Sequence, residues 1–280
     1  MYKFLPIVKT LVWGTERWVL SAVPGNESTV ADGPCKGKTI DDIFPGQFPL
    51  LIKFIDAHKD LSIQVHPDDA LAAERHGCNG KTEMWYITGA EPGARLLSGL
   101  NRSIGPQEYE RLVREDRITE VLSSYEVAPG DVFFLPAGRI HAIGAGCRLA
   151  EIQQTSDITY RIYDYNRPGL DGKPRPLHTQ EAKDAIDYSV LDDYRTHYSK
   201  SPGEEVALAD CKYFRTNLLE TSEERLCEVG GDFLIAICLS GSAYLNGTPI
   251  KEGEAALALS SEEKSVEIRP QGRSEFLIVR

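Results

Sequence analysis

Four residues of this 280-residue chain have the types and spacing to hold a metal ion: Gln64, His66, Glu83 and His141. Gln64 and His66 lie two apart in LSIQVHP, where Ile63 and Val65 alternate with Ser62, Gln64 and His66. Such alternation predicts a strand, so the amide and the imidazole point to one face. Glu83 opens EMWYIT, an aromatic and branched run that predicts a second strand, and Lys81 sits two residues ahead of it, on the same face. His141 ends Gly130-x5-Pro136-x-Gly138-x2-His141, in which the strand VFFLP runs into a Pro/Gly turn able to aim the ring back at the others. Two imidazoles, a carboxylate and a neutral amide oxygen suit a divalent cation of borderline softness. Zinc, one per chain, is the expected metal, and a position left for water or substrate would make the site catalytic. A lone histidine near a strand is more often a hydrogen-bonded core residue. The complete set, in a chain otherwise rich in strands, carries the metal reading.

The elements that must position these residues are mostly short strands. PLLIKFIDA is a strand candidate, and Lys53 within it faces either the pocket or solvent. Asp68 opens a short helix, DDALAAERH, that Gly77 ends. Residues 106–124 show apolar positions at helical spacing (Tyr109, Leu112, Val113) and predict one or two helices inserted in a β framework, an insertion spanning about 104–124. Strands return from 125 in EVAPGDVFFLPAG, CRLAEIQQ and TYRIYDY, and frequent Gly/Pro turns between them predict a barrel or jelly roll. Residues 167–205 read as linker, with RPGLDGKPRPLH as loop and TQEAKDAID as a short helix. Residues 206–280 form a second, smaller β-rich block without a histidine, so it cannot repeat the upstream metal chemistry. The expected domains are 1–200, metal-binding and catalytic, and 206–280, a metal-free β-barrel-like domain.

Bulk properties narrow the function. Apolar residues make up 41% and charged residues 26%, a globular composition. The net charge of −11 argues against a nucleic-acid or anionic-membrane partner, and means that an anionic substrate needs a local basic pocket. MYKFLPIVKT is too short and polar for a signal peptide, and no apolar run approaches a membrane span. The six cysteines, at 35, 78, 147, 211, 227 and 238, form no CxxC pair and are expected to be reduced thiols in a cytoplasmic protein.

The motifs carry a family resemblance. The His141 segment resembles the second cupin motif, and QVH with the later glutamate resembles the first. Within cupins, LSIQVHPDD, GKTEMWY, FLPAGRIHAIGAG and EIQQTSDITYRIYDYNR together resemble the type I mannose-6-phosphate isomerases in their short bacterial form. The resemblance spans about residues 10–170, includes the early WG at 13–14, and weakens beyond. It implies a mainly β cupin barrel, with a degenerate cupin-like domain at the C-terminus. It assigns metal binding to Gln64, His66, Glu83 and His141, with the two histidines and the glutamate the firmest ligands. It places the active-site arginine at Arg161, the family's acidic loop residues at Glu151 and Asp157, and a phosphate-contacting serine at Ser62. Longer members have a phosphate-contacting lysine six residues after the arginine. Here that position is Arg167, which keeps the charge and adds a bidentate fork.

The implied reaction moves a proton between C1 and C2 of an aldose and a ketose phosphate through an enediolate. A metal would stabilise the charge developing on a sugar oxygen. Arg161, always protonated, suits stabilisation rather than proton abstraction. The base has three candidates. Glu151 ranks first, as it is ten residues from Arg161 across a turn and so expected on an adjacent strand. Asp157 is second, and Lys81 could serve only if a metal and Arg161 destabilised its charge. Ser62, Arg167 and Lys53 would bind substrate. Two other readings of the scaffold remain: another metal-dependent cupin enzyme, such as an iron dioxygenase, and a non-catalytic sugar-binding cupin. The expected partner is a small sugar phosphate, and the expected assembly is a monomer or homodimer.

Overall fold

The computed structural model describes all residues, 1–280, and is mainly β, as the turn-punctuated strand pattern predicts. It divides into two compact units: residues 8–17 with 50–196, and residues 1–7, 18–49 and 197–280. The division differs from the expected boundary at 200–206 because the N-terminal segment has partners late in the chain. Tyr2–Lys3 pairs with Ala256 and Leu257, and the rings of Phe44 and Phe48 lie 6.2 and 4.8 Å from Phe233. Residues 1–7 and 18–49 therefore group with residues 197–280 and not with residues 50–196, which hold the candidate metal ligands.

The first unit is a two-sheet sandwich. Its seven-stranded sheet runs, edge to edge, Arg195–Thr196, Val132–Leu135, Glu83–Ala90, Cys147–Gln154, Leu50–Ala57, Gly14–Leu20 and Ile7–Leu11, the last two contributing residues 14–17 and 8–11 to this unit. The five-stranded sheet runs Leu122–Glu126, Arg95–Leu100, His141–Ile143, Ile63–Val65 and Tyr160–Tyr163. Inward residues of both sheets, among them Trp85, Ile87, Phe133 and Leu149 from one and Leu96 and Ile143 from the other, form one buried cluster. The outer face of the five-stranded sheet is apolar too. Ile63, Val65, Ala142 and Ile162 pack there against Tyr109, Leu112 and Ala182 of the covering helices. That explains the alternation in LSIQVHP: the apolar residues face the helices, which leaves Gln64 and His66 for the interior.

The helices follow their local signals. Asp68 caps Asp69–His76 by accepting the Leu71 N–H at 2.9 Å, and Gly77 ends it at φ 65°. Pro106 starts Pro106–Arg114, which buries Tyr109 and Leu112. The insertion is shorter than its pattern predicts. After one 3₁₀ turn at Ile118–Val121 the chain is already extended, because Leu122–Glu126 pairs with the Arg95–Leu100 strand. The expected short helix in TQEAKDAID is Thr179–Ala185.

The second unit sets a six-stranded sheet and a four-stranded sheet around their own apolar core, which includes Leu234, Ala256, Ile268 and Phe276. All six cysteines are free thiols. No helix is long and apolar enough to cross a membrane.

Candidate metal centre

Strand register assembles the site. In the five-stranded sheet His141 lies opposite Ser98 on one side and Gln64 on the other, and Gln64 lies opposite Arg161. Residues paired in this way share a face, so Ser98, His141, Gln64 and Arg161 form one row along the inner surface. In the seven-stranded sheet Glu83 lies opposite Gln153, while Trp85, Glu151 and Lys53 form the next row. Two turns complete the placement. His66 follows directly after Ile63–Val65, and its carbonyl accepts the Gly138 N–H at 2.9 Å. Gly138 has φ 91°, and a Cβ there would meet the Ala185 carbonyl at 3.0 Å, so the turn before His141 requires glycine.

His66, Glu83 and His141 are almost fully buried, and their ligand atoms lie within 4.8 Å of one another. Each ring is oriented by its far nitrogen. His66 Nδ1 is 2.9 Å from the Ile158 carbonyl, and His141 Nδ1 is 2.9 Å from the Arg139 carbonyl. A carbonyl can only accept, so both protons sit on Nδ1 and both Nε2 lone pairs are left facing inward. His66 Nε2 is 3.6 Å and His141 Nε2 3.4 Å from the Glu83 carboxylate. Burial, with nearby Lys81, holds the His66 proton affinity well below the ordinary range, and burial pushes His141 down to about 4, so both rings are neutral. Burial and then the Glu151 charge push the Glu83 carboxyl up.

His66 Nε2 and both Glu83 oxygens are buried and lack a hydrogen-bond partner. Orphaned acceptors of this kind are costly, and a divalent cation would satisfy them together. The donor set therefore fits a metal. Gln64 faces His141 through its amide, Nε2 to Nε2 at 3.2 Å, and turning the amide over would present its oxygen at the same place.

A charged layer adjoins this cluster. Lys53 Nζ lies 2.9 Å from Glu151 and 3.7 Å from Glu16, and Glu151 also accepts the Trp85 indole N–H at 2.8 Å. Burial favours the neutral form of Glu151, but Lys53 and Lys81 outweigh it and hold the carboxyl below its ordinary range. Lys53 is likewise opposed by burial, and the carboxylates of Glu151, Glu16 and Glu83 keep it charged. Lys81 Nζ is 3.4 Å from Glu83. Lys53, left open between pocket and solvent by sequence, is thus buried on the inner face.

The other candidates are spread around this core. Ser62 is buried, its hydroxyl 3.5 Å from the Gln64 oxygen. Asp157 is exposed. Arg167 pairs with Asp164 at 2.7 Å, and Arg175 forks onto the same carboxylate at 2.6 and 2.7 Å. One site expectation needs correction. Glu151 and Arg161 are not on adjacent strands of one sheet, because Cys147–Gln154 and Tyr160–Tyr163 belong to different sheets. The register shifts between Arg161 and Tyr163, which sets Tyr163 opposite Ile63. Sequence reasoning missed Glu16, Ser98, Gln153, Asp164, Arg175 and His178. Of these Gln153 and Asp164 lay within a motif already singled out, EIQQTSDITYRIYDYNR.

Comparison with known proteins gives a consistent picture. Residues 15–93 match the family described as phosphomannose isomerase type I, catalytic domain. The Bacillus subtilis mannose-6-phosphate isomerase ManA is 31% identical, over 91% of this chain and 91% of its own length. "Probable mannose-6-phosphate isomerase GmuF" of the same organism is 34% identical, over 94% of this chain and 88% of its own. The crystal structure of a Bacillus subtilis mannose 6-phosphate isomerase superimposes with a TM-score of 0.90 at 29% identity, covering 100% of this chain and 99% of that one.

Proposed function

The chain belongs to the type I mannose-6-phosphate isomerase family, and from that premise we propose that it interconverts mannose 6-phosphate and fructose 6-phosphate with a zinc ion at His66, Glu83 and His141. The observation that carries this reading is the trio of buried, mutually facing ligand atoms at those three residues, among which His66 Nε2 and both Glu83 oxygens lack a hydrogen-bond partner. Gln64 would be the fourth protein ligand. Bound there, the ion would supply Lewis-acid stabilisation of the charge that develops on a sugar oxygen.

The chain's own residues do the rest. Arg161 shares the inner face with Gln64 and would stabilise the enediolate formed as the proton moves between C1 and C2. Glu151 is the first candidate for the base, being ionised, buried and one row from Glu83. Its proton affinity is low while Lys53 pairs with it, and Glu16 offers that ammonium a second carboxylate when Glu151 takes a proton. Lys81 and Asp157 are the remaining candidates, Lys81 buried beside Glu83 and Asp157 exposed. Ser62 and Arg167 would hold the phosphate, so that remote binding aligns the reacting carbons. We read residues 206–280 as a metal-free domain of a cytoplasmic enzyme, monomeric or homodimeric.

The test is direct. Zinc-loaded protein should convert mannose 6-phosphate to fructose 6-phosphate, and chelation should abolish the conversion. No turnover by the zinc-loaded protein would sink the proposal.

A further inference from the structure

Tyr160–Tyr163 is the edge strand of the five-stranded sheet, and an edge residue has main-chain groups that need partners beyond the sheet. At Arg161 those partners come from the segment 175–178, part of the stretch that reads from sequence as plain loop. The Arg161 N–H donates to His178 Nδ1 at 3.1 Å, and the Arg161 carbonyl accepts the His178 N–H at 2.7 Å. Both main-chain groups of Arg161 therefore point away from Ile63–Val65, and Arg161 and Gln64 form the closer, non-hydrogen-bonded kind of antiparallel pair. The guanidinium Nη1 donates to the Pro176 carbonyl at 2.9 Å, while Nε is buried without a partner. One side chain, His178, thus stands where a further strand would lie, and the arginine it holds keeps one donor in reserve.

We propose that His178 is a positioning residue for Arg161. Its neutral imidazole, through Nδ1, fixes the Arg161 backbone so that the side chain stays on the face it shares with Gln64, and protonation of the ring releases it. The inference rests on the reading that Arg161 acts in the reaction.

The chemistry requires a specific tautomer. A backbone N–H can only donate, so Nδ1 must carry a lone pair and the ring proton must sit on Nε2. The groups that bear on the ring are known. Burial and the Arg161 charge lower its proton affinity, His76 on the Asp69–His76 helix adds to this, and Glu181 on its own helix opposes it. Tyr160, whose ring centroid is 6.3 Å away, is engaged by His76 at 2.8 Å. At neutral pH the ring is neutral and the bond is intact. In acid, Nδ1 gains a proton that confronts the Arg161 N–H, and the bond cannot persist.

Asparagine carries its oxygen on Cγ, where histidine carries Nδ1, whereas glutamine places its polar atoms one bond further out. His178→Asn, His178→Gln, His178→Ala and Arg161→Ala, each zinc-loaded, separate the possibilities. Misplacing Arg161 should lower kcat by about tenfold or more in the Ala and Gln variants, with KM within about threefold, while the Asn variant stays near wild type. The wild type should lose kcat on the acid side more steeply than the Asn variant, whose acceptor does not titrate in that range. Amide exchange at Arg161 should be slow in wild type and the Asn variant and faster in the Ala and Gln variants. Equal kcat in the Asn and Gln variants, superimposable acid limbs in wild type and Asn, or unchanged exchange in the Ala variant would each overturn the proposal. Full turnover by Arg161→Ala would instead remove Arg161 from the reaction, and the exchange rates would still decide whether His178 fixes its backbone.

Discussion

Replacing Lys53 by methionine keeps an unbranched chain one atom shorter and removes its charge from a site where little water enters. The ammonium lies 2.9 Å from Glu151 and 3.7 Å from Glu16, and Lys53 and Glu151 are both almost fully buried. Breaking a buried pair by removing one partner costs about 3–5 kcal/mol, because the other charge is left uncompensated. At about 2–4 °C per kcal/mol, the melting temperature should fall by roughly 10 °C. The pH dependence supplies the sharper test. In the parent, the Glu151 carboxyl is held below its ordinary range, so its contribution is present above about pH 4.3 and is lost only in stronger acid. Without Lys53, burial dominates and the carboxyl is pushed above its unfolded value. The folded state then binds the proton more tightly than the unfolded one, and stability must fall as pH rises. The penalty should grow by up to about 1.4 kcal/mol per pH unit between pH 5 and 7. Urea unfolding of chelator-treated protein at several pH values measures it. Lys53→Met/Glu151→Gln should recover to within about 2 kcal/mol of the parent. A Lys53→Met penalty below about 1 kcal/mol, or one equal at pH 5 and 7, would refute the reasoning.

Other outcomes follow from the same geometry. His141→Ala should lose bound metal and turnover together, as read by metal analysis of the purified variant beside its assay; full metal content would remove His141 from the ligand set. Arg161→Ala should keep its metal and lose about 10²–10³ in kcat, the usual scale for one oriented donor, and unchanged kcat would refute its role. Gly138→Ala should destabilise by about 1–3 kcal/mol and weaken metal binding, since φ 91° and the Ala185 carbonyl at 3.0 Å resist a Cβ; an unchanged denaturation midpoint would contradict this. Asp68→Ala should cost about 1 kcal/mol through the lost cap on the Leu71 N–H, and any effect on kcat beyond about twofold would mean that the helix does more than support the site.

Much of the metal cluster was legible in one dimension because its determinants are local. A period of two put Gln64 and His66 on one face, and the Pro136–Gly138 turn returned His141 toward the sheet. The strand-rich architecture and two of the helices followed from equally local signals, namely Asp68 and Gly77 at one helix and Pro106 at the other. Glu151 and Arg161 were placed as residues by resemblance, but their relation was misjudged. Sequence separation says how far apart two strands are along the chain, not which sheet each one joins.

What only the tertiary structure decided is the set of long-range partners. Lys53 gathers Glu16 and Glu151 across separations that no periodicity encodes, and Asp164 gathers Arg167 and Arg175 through a loop. His178 looked like one more residue of a proline-rich connection until the edge of the sheet showed that it completes Arg161. The placement of residues 1–7 and 18–49 with the C-terminal strands was equally hidden. The physical reason is common to all of these. Local backbone preferences fix faces and turns, whereas buried charges and edge hydrogen bonds are satisfied by whatever the closed fold brings near. The sequence alone therefore determined that this protein is a β scaffold carrying a candidate metal cluster, and the folded chain decided which side chains surround its arginine and its charged layer.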